Sequence, residues 1–148
     1  MTNKIVLDTN VCLDLFVFHD PRWTPLLTHL QSGTLTAVCR EDCRDEWLAV
    51  LHYPHLPIQE ENRAQIVASF DQVITVEQPA NKNIKLPVCS DKDDQKFLEI
   101  ARDSEVKFLI TKDKALLKLA RKIRTLNLFF IETPEQFQAR LVANPQGL

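Results

Sequence analysis

Ile5-Val6-Leu7-Asp8-Thr9-Asn10-Val11 is the stretch that decides the fold. A β-branched and aliphatic run ends in an acid, Thr and Asn follow, and apolar residues then resume. This is how a buried parallel strand delivers a carboxylate to the rim of an α/β sheet just where a helix begins. Ligands of open α/β sheets bind outside the carboxyl ends of the strands. Thr9 and Asn10 can both serve as helix caps, so the pattern gives Asp8 no capping duty that they could not fill. Asp8 therefore reads as a ligand-facing acid.

Working outward, four further apolar runs read as strands: Leu35–Cys39, Val73–Val76, Lys107–Thr111 and Leu128–Glu132, after a first at Lys4–Leu7. Helical periodicity covers Val11–His19, Trp23–Leu30, Glu41–Leu51, Glu60–Phe70, Asp93–Arg102, Lys114–Ile123 and Pro134–Leu141. Thr133 followed by Pro134 is an N-cap with proline at the first helical position. Alternation of strands and helices predicts a mainly parallel five-stranded sheet covered by helices. No repeat or linker divides the chain, which reads as one domain over residues 1–142 with a short tail to 148. Gln78–Pro87 is its loosest segment.

The composition excludes several classes. The 148 residues are 45% hydrophobic and 26% charged, ordinary for a soluble globular protein. No apolar run reaches the length of a membrane span and no export signal is visible, so a cytoplasmic setting is expected. Cys12, Cys39, Cys43 and Cys89 form no CxxC pair, and the four histidines are not spaced with them as zinc ligands. Free thiols are expected. With only Gly33 and Gly147, there is neither a dinucleotide fingerprint nor a P-loop. The net charge of −2 argues against a generally basic nucleic-acid binder, yet six cations against one acid lie in Lys112–Arg124. Such a run reads either as a solvated helix face or as a local basic surface.

The acids supply partners for Asp8. Glu46 stands in an apolar helix among Trp47, Leu48, Val50 and Leu51. Asp91, Asp93 and Asp94 open the helix leading into Phe97-Leu98, and Asp113 follows the fourth strand. Singly, Asp91, Asp93 and Asp113 can be explained as caps or as favourable charges on a helix dipole, and Glu46 as an exposed acid. Jointly, converging carboxylates repel one another and persist as anions only beside cations. Oxygen ligands without His or Cys suit Mg²⁺ or Mn²⁺. A cation so held can activate water and clamp a phosphate oxygen, which matches phosphodiester hydrolysis, and the basic segment then has a polynucleotide backbone to meet.

Val6-Leu7-Asp8-Thr9-Asn10-Val11, Glu46 in its helix, Asp91-Lys92-Asp93-Asp94-Gln95-Lys96-Phe97-Leu98 and Ile110-Thr111-Lys112-Asp113-Lys114-Ala115-Leu116-Leu117 resemble the four signatures of PIN-domain nucleases. They most resemble the bacterial branch of toxin components of toxin–antitoxin pairs. The resemblance runs from Lys4 to about Leu141. It implies a three-layer α/β/α sandwich and a metal-dependent endoribonuclease with an RNA substrate, Mg²⁺ or Mn²⁺ as cofactor, a cognate antitoxin and a homodimer. By motif it implies Asp8, Glu46, Asp94 and Asp113 as catalytic metal ligands and Asp91 as an auxiliary ligand, with Asp93 pointing away. Asn10 would orient Asp8 or a bound water, and Thr111 would fix the site's hydrogen bonding. Lys112, Lys114, Lys118 and Arg121 would meet the RNA backbone. Two residues depart from the pattern: Lys112 stands where this branch often has Gly, and Arg40 where a small hydroxylic residue often begins the Glu46 helix.

Two other classes compete. A receiver-like signalling module also sets acids at strand ends, but it needs an acid pair after the first strand and an Asp near the end of the third. Here Thr9-Asn10 and Glu77 stand at those places. A catalytically silent protein-binding relative is the other reading, and RNA cleavage separates it from the active one.

Overall fold

The five predicted strands form one sheet with every neighbouring pair parallel, in the order β3-β2-β1-β4-β5. The computed structural model describes residues 3–143; of the tail expected at 143–148, Ala143 instead ends the last helix, and 144–148 lie outside the described residues. The strands are β1 (Lys4–Leu7), β2 (Thr36–Cys39), β3 (Ile74–Val76), β4 (Phe108–Ile110) and β5 (Phe130–Glu132). The helices are α1 (Thr9–Phe16), α2 (Thr24–Ser32), α3 (Glu41–Val50), α4 (Glu60–Val73), α5 (Gln95–Asp103), α6 (Lys114–Leu117), α7 (Ala120–Thr125) and α8 (Pro134–Ala143). Short 3₁₀ turns at Pro21–Trp23 and Lys92–Asp94 lead into α2 and α5. The sheet lies between helical layers, the α/β/α sandwich expected. No helix among the described residues is long and apolar enough to cross a membrane.

Strand identity follows from burial. Ile5, Val6, Ala37, Leu109 and Ile110 have no solvent exposure, as strands covered on both faces require. Two aromatic groups anchor the helices. Trp47 of α3 stacks on Phe70 of α4 at 5.0 Å, with Phe16 of α1 edge-on to both. Phe108 of β4 meets Phe130 of β5 and Phe137 of α8. The four cysteines are free and buried.

The chain runs from β1 outward to β3, then returns across the sheet to β4 and continues to β5. The strand order therefore reverses between β1 and β4, the switch point at which such sheets bind ligands. Residues 77–91 make that return without a regular element, and α5 pins them. Gln95 bonds the Cys89 amide (2.7 Å) and the Pro87 carbonyl (3.1 Å), Arg102 the Ile84 carbonyl (2.9 Å), and Asp103 the Lys82 amide (3.0 Å). A receiver-type sheet runs 2-1-3-4-5, and the observed order differs from it.

Most element ends shift by one to three residues from expectation, and three of the differences are instructive. α1 starts at Thr9 rather than Val11, because Asp8, in extended backbone, is itself the cap and accepts the Thr9 amide at 2.6 Å. The reading that gave Asp8 no capping duty is thus corrected. The helix expected over Lys114–Ile123 is two short ones. The Leu119 amide bonds Leu116 O at 2.9 Å in a tight turn, bringing Leu116, Leu119 and Ile123 inward together. α4 absorbs Val73, so β3 begins at Ile74.

Candidate metal centre

Register brings the acids together. Leu7 pairs with Ile110 across β1 and β4, and the Asp8 amide donates to Ile110 O at 3.0 Å. One residue further along, Asp8 and Thr111 stand side by side at the carboxyl edge. Thr111, with no exposed surface, donates its hydroxyl to Asp8 Oδ2 at 2.6 Å and accepts the Asp113 amide at 2.9 Å. Asp113 then caps α6, accepting the Ala115 amide at 2.8 Å. A single threonine thus fixes an acid from each of the two switch-point strands.

The third acid arrives from above the sheet. α5 buries Phe97, Leu98, Ile100 and Ala101 and contacts both β1 and β4. Its first turn consequently overhangs the switch point and sets Asp94 there. Carboxylate oxygens of Asp8, Asp94 and Asp113 lie within 4.8 Å of one another. Asp8 and Asp94 are buried and Asp113 half-buried. Three helix starts converge at this point, and their positive dipole ends partly offset the collected negative charge.

The electrostatics are those of crowded, dry acids. Burial above all, then a side-chain hydrogen bond with Asp113 and the charges of Asp8 and Asp113, pushes the Asp94 carboxyl up to about 8. Burial pushes Asp8 up to about 6 against the opposing hydrogen bonds from Thr111 and the Thr9 amide. Without a cation, this arrangement holds protons that an ordinary surface carboxylate loses well below neutrality.

A divalent cation fits what is present. The donors are all carboxylate oxygens, the set that hard cations select. Asp94 Oδ2 is buried with no hydrogen-bond partner, an unpaired acceptor inside the cluster. Buried polar atoms are rarely left so, and a cation would complete this one.

The remaining predicted residues have distinct positions. Glu46 is not among the three clustered acids. Its Oε2 accepts the Thr9 hydroxyl, and its Oε1 accepts Lys96 Nζ at 3.0 Å. Asp91, exposed, caps the 3₁₀ turn by accepting the Asp93 amide at 3.0 Å, and Asp93 is exposed. The carboxylate of Asp8 is oriented by Thr111 and the Thr9 amide. Asn10 Oδ1, expected to help, is buried without a partner. Lys112 turns to buried Asp14, Nζ to Oδ2 2.7 Å, whereas Lys114, Lys118 and Arg121 are exposed with no acid partner among the described residues. Arg40 starts α3 without a side-chain cap and forks instead onto Asp42 and Glu99.

Sequence reasoning missed Lys96 and Asp14. Lys96, two residues beyond Asp94, carries a cation into an acidic stretch, and that local charge contrast was its only signal. Asp14 lies six residues beyond Asp8 on α1, with nothing local to pair it with Lys112.

A protein-family model described as PIN domain matches residues 4–115, which include all four acids of the motif set. No curated protein and no solved structure matches the chain.

Proposed function

Because this chain belongs to the PIN-domain family, whose members are in general metal-dependent nucleases, we propose that it is a Mg²⁺- or Mn²⁺-dependent endoribonuclease, the toxin component of a toxin–antitoxin pair. The observation that carries the reading is the trio of Asp8, Asp94 and Asp113 with its buried, unpartnered Asp94 oxygen. A cation bound there supplies charge stabilisation at the scissile phosphate and an activated water. The chain's own residues do the rest. Thr111 holds Asp8 and the Asp113 backbone in fixed relation, so the ligands need little reorganisation. Glu46, the fourth acid of the motif, stands with its carboxylate between Thr9 and Lys96 at the rim of the trio. Asp91 is an auxiliary acid beside Asp94, and Asn10 offers its free oxygen to a bound water.

Lys114, Lys118 and Arg121 lie on the stretch that follows Asp113, and their charges, with no acid partner among the described residues, suit an RNA backbone running past the acids. In this reading Lys112 contributes less, since Asp14 already holds it. A cognate antitoxin, a homodimer and a cytoplasmic setting belong to the same reading through the branch that the motifs resemble.

The test is cleavage of a mixed RNA pool with Mg²⁺ or Mn²⁺, with and without a chelator, beside Asp8→Asn. We expect metal-dependent cleavage, reduced by about 100-fold or more in the variant, as several kcal/mol of transition-state stabilisation disappear. Absence of cleavage by the native chain, or equal cleavage by both, would sink the proposal and leave the silent binding module.

A further inference from the structure

Glu46 and the three aspartates share a rim yet are in different electrostatic states. Among the described residues the aspartates have one another and hydrogen-bond donors for company and no cation bridged to them, whereas Glu46 has a resident cation. Lys96 reaches from the first turn of α5 to α3, donating to Glu46 Oε1 at 3.0 Å and to the Asp93 carbonyl. Its ammonium also lies 5.2 Å from the centre of the Phe97 ring, and its side chain is only 15% exposed. Three independent contacts thus hold this ammonium, which is not a solvated surface charge. Glu46 Oε2 is meanwhile taken by the Thr9 hydroxyl. Each oxygen of Glu46 thus has a donor, as each oxygen of Asp8 has, but one of the Glu46 donors is a cation.

A two-cation phosphodiesterase needs ions roughly 3.5–4 Å apart, each with carboxylate ligands available to it. Here the trio can serve one ion, but of the motif acids left for a second, Glu46 is neutralised by Lys96 and Asp91 is exposed and caps its own turn. We infer that the site holds a single divalent cation, and that Lys96 supplies on Glu46 the positive charge that a second cation would otherwise supply. The inference rests on the nuclease reading above and names a positioning residue for it. An ammonium also has three donors, of which the protein uses two.

Manganese binding to the purified full chain tests this directly, by counting bound ions from the loss of the free-ion paramagnetic resonance signal. The native chain should bind one Mn²⁺ into the millimolar range and Lys96→Met should bind two, with Lys96→Met/Glu46→Gln returning to one and Lys96→Arg remaining at one. Cleavage by Lys96→Met should fall by at least about tenfold at low Mn²⁺, on the scale of losing an electrostatic contact, and recover as the second ion fills. If the methionine variant fails to fold, Lys96→Gln removes the charge while keeping a donor and gives the same count. Two ions on the native chain, or one on the charge-removed variants, would overturn the inference and leave the nuclease reading intact. No ion on the native chain would overturn both.

Discussion

Asp94 concentrates the physics of the site in one side chain. Its carboxyl is raised to about 8 by burial and by its acidic neighbours, and that of Asp8 to about 6. Raised carboxyls mean that the folded chain keeps protons that the unfolded chain releases near its ordinary values. Their contribution to stability is thus fully present below about pH 4 and is lost as pH climbs through about 6 and about 8. The metal-free melting temperature should accordingly fall between about pH 5 and about pH 8. Asp94→Asn should remove most of that slope, Asp8→Asn should preserve or increase stability near neutrality, and Mg²⁺ should raise the midpoint most at the alkaline end. Thermal melts across that range check this, and a metal-free midpoint rising with pH would contradict the crowded-acid description. The three clustered aspartates were legible in the sequence because each sits beside an element boundary. The Lys96 partner of Glu46 was not, since fifty positions separate the two and only packing of α3 on α5 joins them.

At the scale of the element, each acid depends on an apolar face that aims it. α3 positions Glu46 by burying its neighbour Trp47 against Phe16 and Phe70, and Trp47 is 1% exposed. Trp47→Ala should cost about 3–5 kcal/mol of unfolding free energy, read from urea denaturation, because the aromatic group cannot collapse into the space left. A loss below about 1 kcal/mol would show that α3 is held by something else. Strand and helix existence was readable from periodicity, but their ends were not. Asp8 took the capping role that Thr9 and Asn10 could have filled, because the backbone is still extended at Asp8 and helical from Thr9. The break after Leu117 likewise follows from turning Leu116, Leu119 and Ile123 inward together, a tertiary demand invisible in a locally continuous helical pattern.

The whole molecule is a parallel sheet whose reversal point gathers three carboxylates from three distant stretches of chain. Alternating elements foretold the layers, and the first and last motifs set Asp8 and Asp113 each just past a strand of a mainly parallel sheet. Strand order did not follow from alternation, because residues 77–91 return across the sheet with no element of their own. That return puts β4 beside β1, and with it Asp113 beside Asp8. Everything functional proposed for the chain passes through the claim that this meeting point binds a divalent cation. Anomalous diffraction from crystals soaked in Mn²⁺ addresses it most directly. A cation held by the trio gives a peak at coordination distance from an oxygen of each of Asp8, Asp94 and Asp113, and Asp94→Asn abolishes it. A peak elsewhere, or none at the trio in a native crystal soaked at millimolar Mn²⁺, would contradict that claim.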